Sequence, residues 1–247
     1  MALLLLDIGN TRIKWGVMSG DSIAATDSTR LPEMPASLPS HVDVAVASNV
    51  AGDEVATRIS ATVLAQCDAP TAFVRATASA AGVHNSYADP TSLGVDRWVA
   101  MIGARALTDS ACLVVDAGTA ITLDALDADG QHLGGQILPG LGLMAQALGS
   151  QTSDLPHIGE QLLGQLPDGE RFGRSTDAAI AQGLLGAAVG AIEQAIAALP
   201  GDALLILTGG DASVLQSRLA HPCELREHLV LEGLARLSAD GESAPAA

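Results

Sequence analysis

Leu3 to Val17 reads LLLLDIGNTRIKWGV, and Leu113 to Leu126 reads LVVDAGTAITLDAL. Each is an apolar run that stops at an aspartate, followed by a glycine-containing turn with threonine and then a second alternating strand. The two stretches therefore predict two hairpins of one design. A doubled pattern of this kind predicts an α/β protein of two related lobes, each a mixed sheet with flanking helices. Turns from both lobes are then expected to converge on one ligand in a cleft.

Working outward, Val42 to Ala47 reads as a strand, and Asp53 to Ala65 has helical spacing through Val55, Ile59 and Leu64. A helix is expected to open at Asp96 and run through Trp98, Val99, Ile102 and Leu107. The second hairpin follows soon after, which places the junction near residue 110 and predicts lobes over residues 1–110 and 111–237. Gly134 to Gly142 is glycine-punctuated, and Thr176 to Leu199 is an Ala-rich helix. Leu204 to Leu207 is a strand ending in Thr208-Gly209-Gly210-Asp211, with Ala212 to Leu219 helical beyond it. Residues 238–247, SADGESAPAA, are small and polar and read as a frayed tail.

Composition narrows the function classes. With 48% hydrophobic residues the chain can build an adequate core. Its 28 acidic and 12 basic residues give a formal charge of -16, which disfavours a general grip on nucleic acid or anionic lipid. An anionic ligand must be held by a few local donors. Cys67, Cys112 and Cys223 are odd in number and have no histidines at ligand spacing, which argues against a disulfide framework or a structural zinc and suits a reducing cytoplasm. The apolar opening Ala2 to Leu6 stops at Asp7, short of the core of a secretory signal. Ala178 to Ile192 contains Gln182 and glycines, and it is shorter than the ~20 residues of a membrane span, so it reads as a buried helix.

Several clusters can carry chemistry. At the first turn Gly9 allows close approach, and Asn10, Thr11, Lys14 and backbone amides offer donors to phosphate oxygens; Asp7 suits Mg²⁺, directly or through water. An Asx-stabilised turn has the same residues. Asp116, Gly118, Thr119 and Thr122 repeat the pattern, and two acidic turns facing one phosphate chain need a cation between them. Gly209 and Gly210 allow backbone to pack flat on a nucleobase and ribose, although a plain strand-to-helix turn capped by Asp211 looks alike. Neither a P-loop nor a dinucleotide fingerprint occurs.

Gly94-Val95-Asp96-Arg97 sets a carboxylate and a guanidinium at a helix start. Phosphoryl transfer through a loose transition state needs positioning more than a strong base, so Asp96 accepting an alcohol proton late is chemically sufficient. Arg97 can pair with a carboxylate on the acceptor, and Tyr87, the one tyrosine, can present a hydroxyl to it. A helix cap, a surface pair and a loop anchor are the structural alternatives. The six histidines show no pairing at ligand spacing and read as structural or surface residues.

Five motifs in order give the chain a resemblance to type III pantothenate kinases, of the acetate and sugar kinase, Hsp70 and actin superfamily. They are DIGNT at Asp7 to Thr11, LGVDRW at Leu93 to Trp98, DAGTAITLD at Asp116 to Asp124, GGQILPG at Gly134 to Gly140, and TGGDA at Thr208 to Ala212. The resemblance implies actin-like, ribonuclease H-like lobes and ATP-dependent phosphorylation of the primary hydroxyl of pantothenate, on the route to coenzyme A. It implies that ATP lies against Asp7, Ile8, Gly9, Asn10, Thr11, Arg12, Ile13 and Lys14, and against Thr119. Asp96 is then the proton acceptor, and Tyr87, Gly94, Val95, Asp96, Arg97 and Thr176 bind pantothenate. By the same resemblance Asp116 binds a monovalent cation, K⁺ or NH₄⁺, and the protein is a homodimer with Thr176 near the subunit interface. Two competing readings remain at this level: a related kinase with another small acceptor, and a non-catalytic ATP-binding regulator.

Overall fold

A computed structural model describes residues 2–20, 22–151 and 171–240. The first sheet contains β1 (Leu3–Ile8), β2 (Arg12–Ser19), β3 (Ser22–Arg30), β4 (Val44–Asn49) and β5 (Thr71–Phe73), in the order β3-β2-β1-β4-β5. β1 pairs antiparallel with β2 and parallel with β4. Side chains alternate across a strand, so Leu4, Leu6, Ile8, Ile13, Ala45 and Ala47 share one buried face. Helix α1 (Asp53–Cys67) covers that face with Ile59 and Val63.

After a short hairpin of β6 (Ser79–Ala80) and β7 (Val83–His84), helix α2 (Val95–Leu107) packs against β4 on the sheet. The second sheet holds β8 (Cys112–Ala117), β9 (Ala120–Leu126), β10 (His132–Pro139), β11 (Leu204–Thr208) and β12 (Cys223–Leu225). Its order is β10-β9-β8-β11-β12. β8 is antiparallel to β9 and parallel to β11, so the topology of the first sheet recurs strand for strand. Helices α3 (Leu141–Gln151), α4 (Thr176–Ile196) and α5 (Ala212–Gln216) accompany this sheet. α4 has 21 residues and is long and apolar enough to cross a membrane by length and composition. Its Ile180, Leu184, Leu185, Ala188 and Ile192 are nevertheless core residues, packed with Leu113, Val115, Ile121 and Leu205 of the second sheet.

The last helix, α6 (Leu229–Ala239), does not stay with the second sheet. It packs on α2, β1 and β4 of the first. The reason is a glycine crossing: a Cβ on Gly103 of α2 would stand 2.5 Å from the carbonyl oxygen of Leu229, and one on Gly233 of α6 would collide with the carbonyl of Val99. Only hydrogen at both positions lets the backbones approach this closely. The compact units are accordingly Met1–Asp109 with Gly130–His132 and His228–Ala247, and Ser110–Asp129 with Leu133–Glu227. The expected first boundary near 110 coincides with the start of the second unit, but the single block 111–237 differs from this division, because α6 returns to the first unit. Ser238 and Ala239 belong to α6, and the rest of the expected tail from 241 lies outside the described residues.

Candidate active site

In the first unit β1 ends in Asp7 and Ile8, and the turn brings Gly9 N–H onto the carbonyl of Arg12 at 3.0 Å. Asn10, Thr11 and Arg12 are exposed at this turn, while Ile8 and Ile13 are buried and anchor it. Lys14 lies directly across from Asp7 on β2, and Ser48 lies directly across on β4. Residues opposite one another in a ladder share a face, so Lys14, Asp7 and Ser48 form one polar row at the strand ends. Ser48 is fully buried and its Oγ has no hydrogen-bond partner. Such a group loses about 1–3 kcal/mol in unmet hydrogen bonding, so its presence calls for a reason.

Around the start of α2, Gly94 is the N-cap and Asp96 lies in the first turn. The Asp96 carboxylate accepts from the Arg97 backbone N–H at 2.8 Å. A Cβ on Gly94 would stand 2.8 Å from Asp96 Oδ1, so the glycine keeps that oxygen's surroundings open. Arg97 is 7% exposed, and its Nη1 donates to Tyr87 Oη at 3.1 Å. Tyr87 stacks on His132 with ring centroids 5.9 Å apart, and His132 Nδ1 and Ser86 Oγ share a hydrogen bond of 3.2 Å. Spacing gave no sign of His132, which lies far along the chain from Tyr87 and pairs with nothing in sequence. A cavity of about 580 Å³ opens beside Gly94 and Val95, walled by Asn49, Asp53, Phe73 and Arg75. Two of the predicted acceptor residues thus line a cavity, and two others, Tyr87 and Arg97, bond to each other.

In the second unit Gly118 N–H bonds the carbonyl of Ala120 at 3.0 Å, closing the turn that carries Thr119. Gly140 N–H donates to the Thr119 carbonyl at 2.9 Å, which joins the GGQILPG stretch to this turn. Gly209 has φ +96, and a Cβ there would meet Asp116 Oδ1 at 2.5 Å and collide with the Ala117 carbonyl. Asp211 N–H bonds the same Ala117 carbonyl at 2.9 Å. The DAGT and TGGD turns are therefore in contact, with the Asp116 carboxylate against Gly209. Gly210 is exposed beside them. Asp211 is the N-cap residue of α5, although its side chain makes no capping bond. Thr176 is exposed as the first residue of α4, whose cap is Ser175 accepting from Ala178 N–H at 3.2 Å.

Among the described residues no group of three or more His, Cys, Asp or Glu gathers as a metal cage. Mg²⁺ that rides on phosphates needs only one or two carboxylates and keeps several waters. Asp7, half-buried beside the orphaned Ser48 hydroxyl, fits that requirement. The cysteines are free thiols, and burial pushes the Cys67 thiol above its ordinary range.

A family model of type III pantothenate kinase matches residues 3–198. A type III pantothenate kinase of Aromatoleum aromaticum is 42% identical over 251 residues, covering 98% of this chain and 100% of that protein. The chain belongs to the type III pantothenate kinase family. Solved structures with this fold include a Campylobacter jejuni protein named for the Baf family of transcriptional activators, at 21% identity and TM-score 0.63, covering 96% of this chain and 98% of that one. Another is a Sinorhizobium meliloti protein assigned as a 2-dehydro-3-deoxygalactonokinase, at 13% identity and TM-score 0.57, covering 96% and 99%. The fold shared with these structures is here a mixed α/β architecture with flanking helices.

Proposed function

We propose that this chain transfers the γ-phosphoryl group of ATP to the primary hydroxyl of pantothenate, giving 4'-phosphopantothenate in the first step of coenzyme A biosynthesis. The observation that carries this reading is Asp96 in the first turn of α2, its carboxylate oriented by the Arg97 N–H and followed by the Arg97–Tyr87 pair. It is set within a chain 42% identical to a type III pantothenate kinase. Asp96 accepts the hydroxyl proton as the bond to phosphorus forms. A strong base is not needed, because a loose transition state leaves the proton on oxygen until late.

The ATP phosphates are held by Asp7 to Lys14 and by Thr119, and the adenosine by Gly209 and Gly210. Support comes from the exposed donors at the first turn and the open space beside Gly210 at the TGGD turn. Asp7 would hold Mg²⁺, which would supply neutralisation of the phosphate charge. A monovalent cation, K⁺ or NH₄⁺, sits at Asp116, a reading supported by the carboxylate oxygen lying against Gly209 and Gly118. Pantothenate is held by Tyr87, Gly94, Val95, Asp96, Arg97 and Thr176. The working form is a homodimer, supported by the exposed apolar side chains Leu133, Ile137 and Leu143 of the second unit, and its compartment is the cytoplasm, in keeping with the free cysteines Cys67, Cys112 and Cys223.

The test is ADP release by purified protein with Mg²⁺-ATP and K⁺, with and without pantothenate. Pantothenate-dependent release is the expected result. Release with a different small acid or sugar, and none with pantothenate, would replace the acceptor.

A further inference from the structure

Asp7 and Asp116 stand near the ends of the first strands of the two repeated sheets, and each has a hydroxyl residue directly beside it on the parallel neighbour. Ser48 is opposite Asp7, and Thr208 is opposite Asp116. Both hydroxyl residues are buried, Ser48 at 0% and Thr208 at 2% exposure. Neighbouring strands are about 4.8 Å apart, and directly opposed side chains share a face. A serine hydroxyl in that position reaches a carboxylate oxygen after rotation between staggered χ1 positions.

Ser48 is the informative member of the two pairs, because its Oγ makes no hydrogen bond in this state. For folding alone an apolar side chain would serve here, as Val46 does on the same face of the strand. A buried donor that stays idle and recurs as a hydroxyl in the duplicate half points to a partner that is acquired on binding.

We propose that Ser48 is a positioning residue for phosphoryl transfer: when the divalent cation binds, Ser48 Oγ–H donates to the Asp7 carboxylate and holds it toward the cation. The inference rests on the reading of Asp7 as the cation's carboxylate. Carboxylates that hold metals are themselves fixed by hydrogen bonds from outside the coordination sphere, and losing such a bond weakens metal affinity or activity roughly 10–100-fold.

The experiment compares wild type, Ser48→Ala, Ser48→Thr and Asp7→Asn as full-length protein. Mn²⁺ binding is followed by electron paramagnetic resonance in the presence of a non-hydrolysable ATP analogue, and thermal midpoints are measured without metal. Ser48→Ala is expected to bind Mn²⁺ about 10-fold more weakly, with a thermal midpoint equal to or above that of wild type because an unmet polar group has been removed. Ser48→Thr, which keeps the hydroxyl, is expected to bind more tightly than Ser48→Ala. Wild-type Mn²⁺ binding in Ser48→Ala, with Asp7→Asn weakened, overturns the role of Ser48 while leaving the Asp7 assignment intact. Unchanged binding in Asp7→Asn overturns that assignment and the inference with it.

Discussion

Arg97 Nη1 donates to Tyr87 Oη at 3.1 Å, and the guanidinium carbon lies 5.9 Å from the centre of the tyrosine ring. The next residue before Arg97 is the proposed base, so this pair ties the loop that carries Tyr87 to the first turn of α2.

Tyr87→Phe keeps the ring stack on His132 but removes the acceptor for Arg97. A hydrogen bond to a charged group contributes about 1.5–3 kcal/mol, so the KM for pantothenate is expected to rise roughly 10-fold or more while the KM for ATP stays within about twofold. Steady-state kinetics with each substrate varied checks this. An unchanged pantothenate KM would remove Tyr87 and Arg97 from the acceptor site.

Asp96→Asn is nearly isosteric and leaves an oxygen for the Arg97 N–H, so the helix start should persist. Turnover is expected to fall by about 10²–10⁴, the usual contribution of a positioned acid or base. Nucleotide affinity measured by calorimetry is expected to stay the same. Near-normal turnover would mean that another group takes the proton.

Gly209→Ala introduces a Cβ at φ +96, against Asp116 Oδ1 and the Ala117 carbonyl. Strain of this kind costs on the order of 1–3 kcal/mol, and it displaces the carboxylate proposed to hold the monovalent cation. The expected outcome is a lower thermal midpoint together with loss of activation by K⁺ relative to Na⁺. A variant that is destabilised yet keeps its full K⁺ response would separate Asp116 from the cation.

Gly233→Ala tests the crossing of α6 over α2. The added methyl meets backbone at Val99, which has little room to yield. Overpacking of this type costs about 1–3 kcal/mol. Denaturant unfolding followed by tryptophan fluorescence should show the loss, since Trp98 is fully buried in α2 beside the contact. Wild-type stability would show that α6 can dock elsewhere.

Reading from residues alone succeeded where a local rule governs. The β1–β2 and β8–β9 hairpins follow from apolar runs that end at Asp7 and Asp116 and turn through glycine. The helix expected over Asp53 to Ala65 runs Asp53–Cys67, and the Ala-rich helix from Thr176 ends at Ile196. β3 was not legible, because SIAATDSTR is an edge strand whose apolar alternation is weak. β10 is likewise an edge strand, with Gln136 and Ile137 exposed, and its two glycines obscured it. His132 could not be found from spacing, since its stack with Tyr87 joins residues far apart in the chain.

Motif order within the 247 residues determined the family and the reaction class, and it named the residues proposed to carry them, because turn chemistry at a phosphate and a carboxylate at a helix start are written in contiguous residues. Tertiary structure decided what depends on distant segments meeting. It put α6 on the first unit through Gly103 and Gly233, set Asp116 against Gly209, and placed an idle Ser48 hydroxyl beside Asp7. Cross-strand register and helix crossing are fixed by packing between elements, and no local pattern in the chain encodes that packing residue by residue.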